Sequence, residues 1–197
     1  MKKIILASNN KGKLKEMQQI LGDIAVHFIS MHDAGIDMDI DENGTTFEEN
    51  AIIKAEAVMK ATGEIALADD SGLEVDYLNK EPGVYSARYM GHDTSYDIKN
   101  QAIIDRLQGV EKKDRTARFV CVIAVVFPDG KRIVTRGTME GIIAEKPQGE
   151  NGFGYDPIVF IPEYNKTSAQ LTPDEKNKIS HRGKALEKLK EELVKYL

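Results

Sequence analysis

The stretch Ala68-Asp69-Asp70-Ser71-Gly72-Leu73 brings two adjacent carboxylates to the end of an apolar run. Residues 65–68 are apolar, which predicts a buried strand, and the alternation over residues 73–78 predicts more strand. Neighbouring carboxylates repel each other, so one is driven to hold a proton unless a cation lies nearby. We expect Ser71 and Gly72 to turn the chain, leaving the carboxylates at a strand edge that faces a cleft. Two interpretations are open on these residues alone: an ordinary polar turn, or a Mg²⁺ ligand or general base.

The composition narrows the class of protein. With 197 residues, 41% of them hydrophobic and 30% charged, the chain is long enough for a real core and is typical of one globular domain over residues 1–197. The single cysteine, Cys121, excludes a disulfide framework and favours a reducing compartment, so we expect a cytoplasmic protein with Cys121 in its core. The net charge of −5 argues against a general nucleic-acid binder. The longest apolar run, residues 119–127, is too short to cross a membrane.

That apolar run also predicts a strand that is buried on both faces, in the middle of a sheet. Pro128-Asp129-Gly130 follows it and indicates a hairpin between strands at residues 116–127 and 131–137. Earlier in the chain, the pattern predicts a strand at residues 3–7, a helix at 11–21 and a strand at 26–30.

The loop between the first strand and the first helix is suited to phosphate. It consists of Ser8, Asn9, Asn10, Lys11, Gly12 and Lys13. Free backbone N–H groups and the positive end of a helix would point at an anion, and the lysines add charge. The alternative is a helix capped by asparagine, with its lysines in solvent.

An acidic run and a helix start follow. Residues 36–44 include Asp41 and Glu42, and they are either a solvated loop or the source of a second metal carboxylate. Thr46 and Glu49 have the spacing of a capping box, which predicts a helix to about residue 62. Lys54 on that helix either lies in solvent or abuts the Asp69-Asp70 pair.

Two later stretches are candidates for binding a flat, anionic ligand. In residues 149–157, Gly152 and Gly154 allow close backbone approach, while Phe153 and Tyr155 offer flat faces for a base, so we favour a ligand loop. Basic residues at the start of a helix conflict with its dipole, which prefers acids there. His181 and Arg182 open the last predicted helix, and the conflict is relieved if an anion binds; the alternative is two exposed polar side chains.

Six stretches together resemble the inosine triphosphate pyrophosphatase family, and within it the bacterial enzymes that act on non-standard purine nucleotides. They are residues 7–13 (ASNNKGK), 46–55 (TFEENAIIKA), 68–73 (ADDSGL), 82–89 (PGVYSARY), 152–157 (GFGYDP) and 180–182 (SHR). Each stretch is short, but they occur in the family's order and cover the chain from end to end.

The resemblance implies an elongated α/β fold with a mixed central β-sheet, flanking helices, and two lobes around an active-site cleft. It also implies a homodimer and the Mg²⁺-dependent hydrolysis of dITP, ITP and XTP to the nucleoside monophosphate and pyrophosphate, which cleanses the nucleotide pool. By motif, Asp70 is the proton acceptor and a metal ligand, and Ser71 touches the substrate. Residues 8–13 hold the phosphates with Lys54 and Lys176. The base is held by Phe153, Gly154, Tyr155, Asp156, His181 and Arg182.

The acidic loop departs from the family pattern at one position. The family places a metal-binding Glu three residues before the loop glycine, where this chain has Asp41, followed by Glu42. Since Asp is shorter than Glu, either residue is a candidate ligand. Two rival functions remain: a pyrophosphatase for other nucleotides, and a nucleotide sensor without turnover. The Asp69-Asp70 pair with Lys13 and Lys54 speaks against a sensor, which needs no general base.

Overall fold

The computed structural model describes residues 2–8, 11–24 and 26–196. The strands are β1 (Lys2–Leu6), β2 (Val26–Ser30), β3 (Ile65–Val75), β4 (Thr116–Val126), β5 (Arg132–Ile143), β6 (Val159–Ile161) and β7 (Lys166–Thr167). The α-helices are α1 (Lys11–Leu21), α2 (Phe47–Thr62), α3 (Tyr96–Arg106), α4 (Pro173–Ile179) and α5 (His181–Leu193). Across the described ranges, every helix is too short or too polar to span a bilayer.

The seven strands form one mixed sheet in the order β2-β1-β3-β4-β5-β6-β7. Strand β1 pairs in parallel with β2 and β3, whereas β6 pairs antiparallel with β5 and β7. The predicted α/β class is confirmed. The predicted burial of residues 119–127 is also confirmed, because all nine are buried on β4 and the turn that follows it.

The predicted turn at Ser71 and Gly72 is wrong. Strand β3 runs without a break from Ile65 to Val75, so the carboxylates lie inside a strand rather than at its end. The pairing of β3 with β4 outweighs the turn preference of a Ser-Gly pair, whereas the pairing with β1 covers residues 65–67. The chain reverses only after residue 75, where Asn79 and Lys80 adopt left-handed φ values of 53° and 71°.

The chain divides into two compact units. The first contains residues 1–70, 121–137 and 182–197, and the second contains residues 71–120 and 138–181. The core of the first unit includes Leu6, Met17, Ile123 and Leu186, and it contains Cys121 as predicted. The core of the second includes Leu73, Ile103, Met139, Tyr155 and Ile158. Each unit therefore has its own apolar interior.

Three capping boxes start helical segments near the candidate site residues. Thr46 with Glu49 starts α2, as predicted, and Thr172 with Glu175 starts α4. A third box, Thr167 with Gln170, starts a short 3₁₀ helix. In each box the threonine hydroxyl accepts from the third residue's N–H, while that residue's side chain accepts from the threonine N–H.

A network of charges surrounds Asp76, just after β3, in the second unit. Arg118 donates to both of its oxygens, from Nη1 to Oδ1 at 3.0 Å and from Nη2 to Oδ2 at 2.9 Å. The Thr116 hydroxyl donates to Oδ2 at 2.6 Å, and Lys80 also contacts Oδ1. Hydrogen bonding from Arg118 is the main reason that the pKa of Asp76 lies well below its ordinary value.

Candidate active site

The two carboxylates on β3 face opposite sides of the sheet, because successive side chains on a strand alternate. Leu67, two residues before Asp69, belongs to the core formed with α1 and α5. Ala66 packs instead in the cluster that contains Val58 of α2. Asp69 is 3% exposed and Asp70 is 9% exposed. Asp69 is therefore directed to α1 and α5, and Asp70 to α2.

Asp69 is held in an ion-pair network. Lys13 Nζ of α1 donates to both Asp69 oxygens at 2.8 Å, and Arg182 Nη2 of α5 lies 3.6 Å from Oδ2. Burial by itself would raise the pKa of Asp69, but the charges of Lys13 and Arg182 outweigh it and hold the pKa at about 2. Asp69 is consequently a permanent anion that fixes the ends of two basic side chains.

Asp70 has the opposite environment. Lys54 Nζ of α2 lies 3.5 Å from Oδ1, at the limit of a hydrogen bond, while Oδ2 is buried and has no hydrogen-bond partner within the described ranges. Burial raises the pKa of Asp70, and Lys54 only partly opposes this. The side chain of Asn50 favours the ionised form of Asp70. Asn50 Nδ2 nevertheless forms no hydrogen bond of normal length and angle with any described residue. Asp70 is thus an under-satisfied carboxylate with raised proton affinity.

Lys54 links Asp70 to the acidic run. Its Nζ is 3.1 Å from Glu42 Oε2 as well as 3.5 Å from Asp70 Oδ1. Burial would lower the pKa of Lys54, but Asp70 and Glu42 outweigh it and raise the pKa, so the ammonium stays charged. The expectation that this part of α2 abuts the Asp69-Asp70 pair is confirmed.

The acidic run is extended, and its side chains alternate between solvent and protein. Ile36, Met38 and Ile40 pack against the Val58 cluster. Asp41 is exposed, whereas the next residue, Glu42, turns inward to Lys54. The alternation therefore brings Glu42, and not Asp41, beside Asp70.

The run ends at Gly44, whose N–H donates to Asn50 Oδ1 at 2.8 Å. A side chain at this position would collide with Asn50 Oδ1, 2.6 Å away, and with Glu49 Cβ, 2.8 Å away. The glycine thus lets the run approach the start of α2, which positions Glu42.

The donor set suits a magnesium ion. Within the described residues, no three His, Cys, Asp or Glu side chains converge as a complete metal site. Asp70 and Glu42 nevertheless both place a carboxylate oxygen beside the Lys54 ammonium. Asp70 Oδ2 is buried and has no hydrogen-bond partner in the described part of the chain. Mg²⁺ takes one or two carboxylates and completes its shell with water and phosphate oxygens. The residues present therefore fit Mg²⁺ bound together with a phosphate substrate.

The predicted phosphate loop is described only in part. Asn9 and Asn10 lie outside the described residues, and α1 begins at Lys11, so Gly12 falls within its first turn. Ser8 follows β1, and its N–H donates to Leu6 O at 2.7 Å. Lys13, which is expected to bind phosphate, donates to Asp69 in this structure.

The glycine-rich loop of the second unit is organised around Asp156. This side chain is 3% exposed and accepts three hydrogen bonds: from Phe153 N at 2.9 Å, Ser168 Oγ at 2.7 Å and Lys176 Nζ at 2.6 Å. A side chain on Gly152, which has a φ of 75°, would collide with Asp156 Oδ2. Asp156 therefore holds the loop and Lys176 together.

The two aromatic residues of this loop differ. Phe153 is 72% exposed, with Lys176 Nζ 5.4 Å from its ring centroid. Tyr155 is 4% exposed, and its hydroxyl donates to Ser86 O at 2.7 Å inside the core. The expectation that both rings offer a face to a base therefore has to be corrected: Tyr155 is occupied by core packing, and Phe153 is the ring that is available.

Of the other candidate residues, His181 and Arg182 start α5, and Ser71 lies inside β3. His181 stacks on Phe119, with ring centroids 5.2 Å apart and planes 19° from parallel. Arg182, the next residue, lies beside Asp69. Ser71 is half-buried on β3, next to Asp70.

Two residues that the sequence analysis did not consider are Lys99 and Asn100 of α3. Both are buried, and Asn100 Nδ2 donates to Gly154 O at 3.0 Å in the glycine-rich loop. Helical spacing offered a signal, because Asn100 shares a face with the apolar residues Ile103, Ile104 and Leu107.

Comparison with known proteins gives consistent matches over nearly the whole chain. The Ham1 family model matches residues 4–192. A dITP/XTP pyrophosphatase of Clostridium perfringens is 51% identical over 98% of this chain and 98% of its own length, and one of Bacillus subtilis is 50% identical over 96% of each.

The fold is similar to solved structures as well. A HAM1 protein from Coxiella burnetii has a TM-score of 0.93 at 46% identity, covering 99% of this chain and 100% of its own. The Staphylococcus aureus Ham1 protein has a TM-score of 0.92 at 45% identity and full coverage of both chains.

Proposed function

Since the chain belongs to the Ham1 family, we propose that it hydrolyses dITP, ITP and XTP to the nucleoside monophosphate and pyrophosphate, with Mg²⁺ as cofactor. It is a hydrolase that acts on nucleoside triphosphates, as are its relatives at about half identity. The finer assignment rests on the chemistry of the site residues.

One observation carries the proposal: the two neighbouring carboxylates are electrostatically different. Asp69 is paired with Lys13 and Arg182, and its pKa is lowered. Asp70 keeps a buried oxygen with no hydrogen-bond partner among the described residues, and burial raises its pKa. Because no donor already occupies this oxygen, Asp70 rather than Asp69 is proposed to accept a proton from the attacking water.

Asp70 and Glu42 would hold Mg²⁺, which supplies charge neutralisation of the phosphate oxygens when it is bound. Lys54 keeps these two carboxylates close together before substrate arrives. Lys13 and Lys54 would bind phosphate and stabilise the charge that develops on the pyrophosphate leaving group. Their ammonium groups are already held by buried carboxylates, so little ordering is required on binding.

Recognition of the base is proposed for Phe153, His181 and Arg182. Stacking on the exposed Phe153 ring suits any purine. Inosine and xanthine have a 6-oxo acceptor, which suits donors such as His181 and Arg182, whereas the 6-amino group of adenine would meet donor with donor. Leaving such polar groups unpaired is a strong basis for rejection. Asp156 accepts from the Phe153 backbone N–H, and Lys176 Nζ lies 5.4 Å from the centroid of the Phe153 ring.

Two further proposals follow from the resemblance and the composition: a homodimer and a cytoplasmic location. Light scattering on the purified protein tests the first, and fractionation of the source cells tests the second.

A panel of nucleoside triphosphates tests the function. We expect dITP, ITP and XTP to yield monophosphate and pyrophosphate with Mg²⁺, and dATP to react far more slowly. A preference for dATP or dGTP would favour the rival pyrophosphatase. Tight binding of dITP without pyrophosphate release would favour a sensor.

A further inference from the structure

Helix α3 buries two polar side chains in the second unit. Lys99 is 1% exposed, and its Nζ donates to Ala87 O at 2.7 Å while lying 4.8 Å from the centroid of the Tyr96 ring. Asn100 is 2% exposed and donates from Nδ2 to Gly154 O at 3.0 Å. Its other polar atom, Oδ1, is buried without a hydrogen-bond partner among the residues that the structure describes.

These side chains are unfavourable choices for stability alone. An ammonium with one carbonyl acceptor and an amide with an unpartnered oxygen both lose hydration on burial. The same helix buries Ile103, Ile104 and Leu107 in the core, so apolar residues are accommodated there. Buried polar residues that bring no gain in stability are expected at positions where function requires them.

Both side chains donate to backbone carbonyls, one in the glycine-rich loop and one in a segment that is hydrogen-bonded to that loop. Ala87 belongs to the 3₁₀ helix Gly83–Arg88, and Gly154 belongs to the glycine-rich loop. The same two segments are joined by the bond from the Tyr155 hydroxyl to Ser86 O. Tyr155 also packs edge-on against Tyr96 of α3, at 5.2 Å between ring centroids. Helix α3 is thus the common support of both segments.

The residue that this support leaves in solvent is Phe153. Glycines with positive φ, 75° at Gly152 and 66° at Gly154, flank it. Glycine backbones are entropically costly to fix. The bond from Asn100 holds the carbonyl of Gly154, and Asp156 holds the Phe153 N–H at 2.9 Å. An exposed ring is therefore mounted on a backbone that is fixed on both sides of it.

We propose that Asn100, assisted by Lys99, is a positioning residue for base recognition: it fixes the Gly154 peptide so that the Phe153 ring is held ready for a purine before binding. This inference rests on the proposed function for its consequence, but its structural content is independent of turnover. Preorganisation of a contact reduces the ordering that binding must supply.

The first experiment measures the loop itself. Because the chain has no tryptophan, the variant Phe153→Trp carries a single fluorescent reporter at the ring position. Adding Asn100→Leu, which removes the donor with similar volume, should lower the steady-state fluorescence anisotropy of that tryptophan. The control is Gln101→Leu, since Gln101 is exposed and donates to Asp105 on its own helix. Unchanged anisotropy in folded Asn100→Leu protein overturns the proposal.

The second experiment is a double-mutant cycle on kcat/KM for dITP. Asn100→Leu should lower it about three- to tenfold, the range of one hydrogen bond. In the Phe153→Ala background the same change should have no further effect, because the residue acts through that ring. Equal losses in both backgrounds, or no loss in either, overturn the proposal. A parent protein that does not hydrolyse dITP overturns the proposed function, while the anisotropy still reports on positioning.

Discussion

Two acidic residues, Asp70 on β3 and Asp76 directly after it, lie in different units and have opposite environments. Asp70, in the first unit, is buried, lies 3.5 Å from Lys54 and keeps one oxygen without a hydrogen-bond partner among the described residues. Asp76, which follows the strand in the second unit, is less buried and has donors on both oxygens, including two from Arg118. The pKa of Asp70 is raised chiefly by burial, and that of Asp76 is lowered chiefly by hydrogen bonding from Arg118.

This difference distinguishes a carboxylate that can take part in a reaction from one that stabilises the fold. A carboxylate whose lone pairs are all used stabilises the fold and has nothing left to offer a substrate. A buried carboxylate with an unused oxygen costs stability and keeps the capacity to bind a metal ion or a proton. Satisfaction of the oxygens, rather than the mere presence of an acidic pair, therefore identifies the candidate base.

The largest effect is expected at Asp70. Asp70→Asn should lower kcat for dITP by about 10²–10⁴, the usual contribution of a general base, while the thermal midpoint stays the same or rises. The measurement is pyrophosphate release in parallel with a thermal melt. Turnover within tenfold of the parent would contradict the assignment.

The matched change at Asp76 should have the opposite result. Asp76→Asn should leave kcat/KM unchanged and reduce the free energy of unfolding by about 1 kcal/mol at pH 7, a modest value because the pair is partly exposed. Since the folded-state pKa is lowered, the contribution is present above the ordinary pKa of about 3.9 and is lost as pH falls below it. Urea unfolding from pH 7 to pH 2 should show the two proteins converging below about pH 4, as the pH falls toward the lowered folded-state pKa. A constant difference over that range would contradict the charge network as its source.

A smaller effect separates the two candidates of the acidic run. Glu42→Gln should raise the Mg²⁺ concentration for half-maximal rate about tenfold, whereas Asp41→Asn should be nearly silent, because only Glu42 faces Lys54 and Asp70. Titrations of Mg²⁺ at fixed dITP measure this. If Asp41→Asn raised that Mg²⁺ concentration and Glu42→Gln did not, Asp41 would be the ligand, as its position in the family motif implies.

The smallest effects are expected at the residues proposed to recognise the base. Phe153→Ala should lower kcat/KM for all purines by a similar factor of about five or more, since stacking does not distinguish them. Arg182→Ala should lower it more for dITP and XTP than for dATP. Measurements of kcat/KM for the three substrates on both variants decide this. An equal decrease in kcat/KM for all three substrates after Arg182→Ala would mean that Arg182 acts through its ion pair with Asp69, 3.6 Å away, and not by recognising the base.

Local rules predicted much of the fold, and long-range partners limited what could be predicted of the site. The Thr46–Glu49 box and the helix it starts depend on neighbours in sequence, and both are confirmed. The partner of Lys13 is 56 residues away, so no local pattern could assign it. The alternation that turns Glu42 inward depends on the packing of the acidic run as an extended segment. The turn predicted at Ser71 and Gly72 was wrong because pairing within the sheet outweighs the local turn preference of these two residues.

The capping boxes differ in one respect that matters in acid. Glu49 and Glu175 are titratable, and hydrogen bonds from the backbone N–H groups of Thr45 and Thr172, respectively, are the main causes that lower the pKa of each. Gln170, in the third box, cannot be protonated in this range. As pH falls through these lowered values, the first turns of α2 and α4 should fray while the 167–170 turn persists. Acidification would thus loosen the helices that carry Lys54 and Lys176 before it unfolds the cores beneath them.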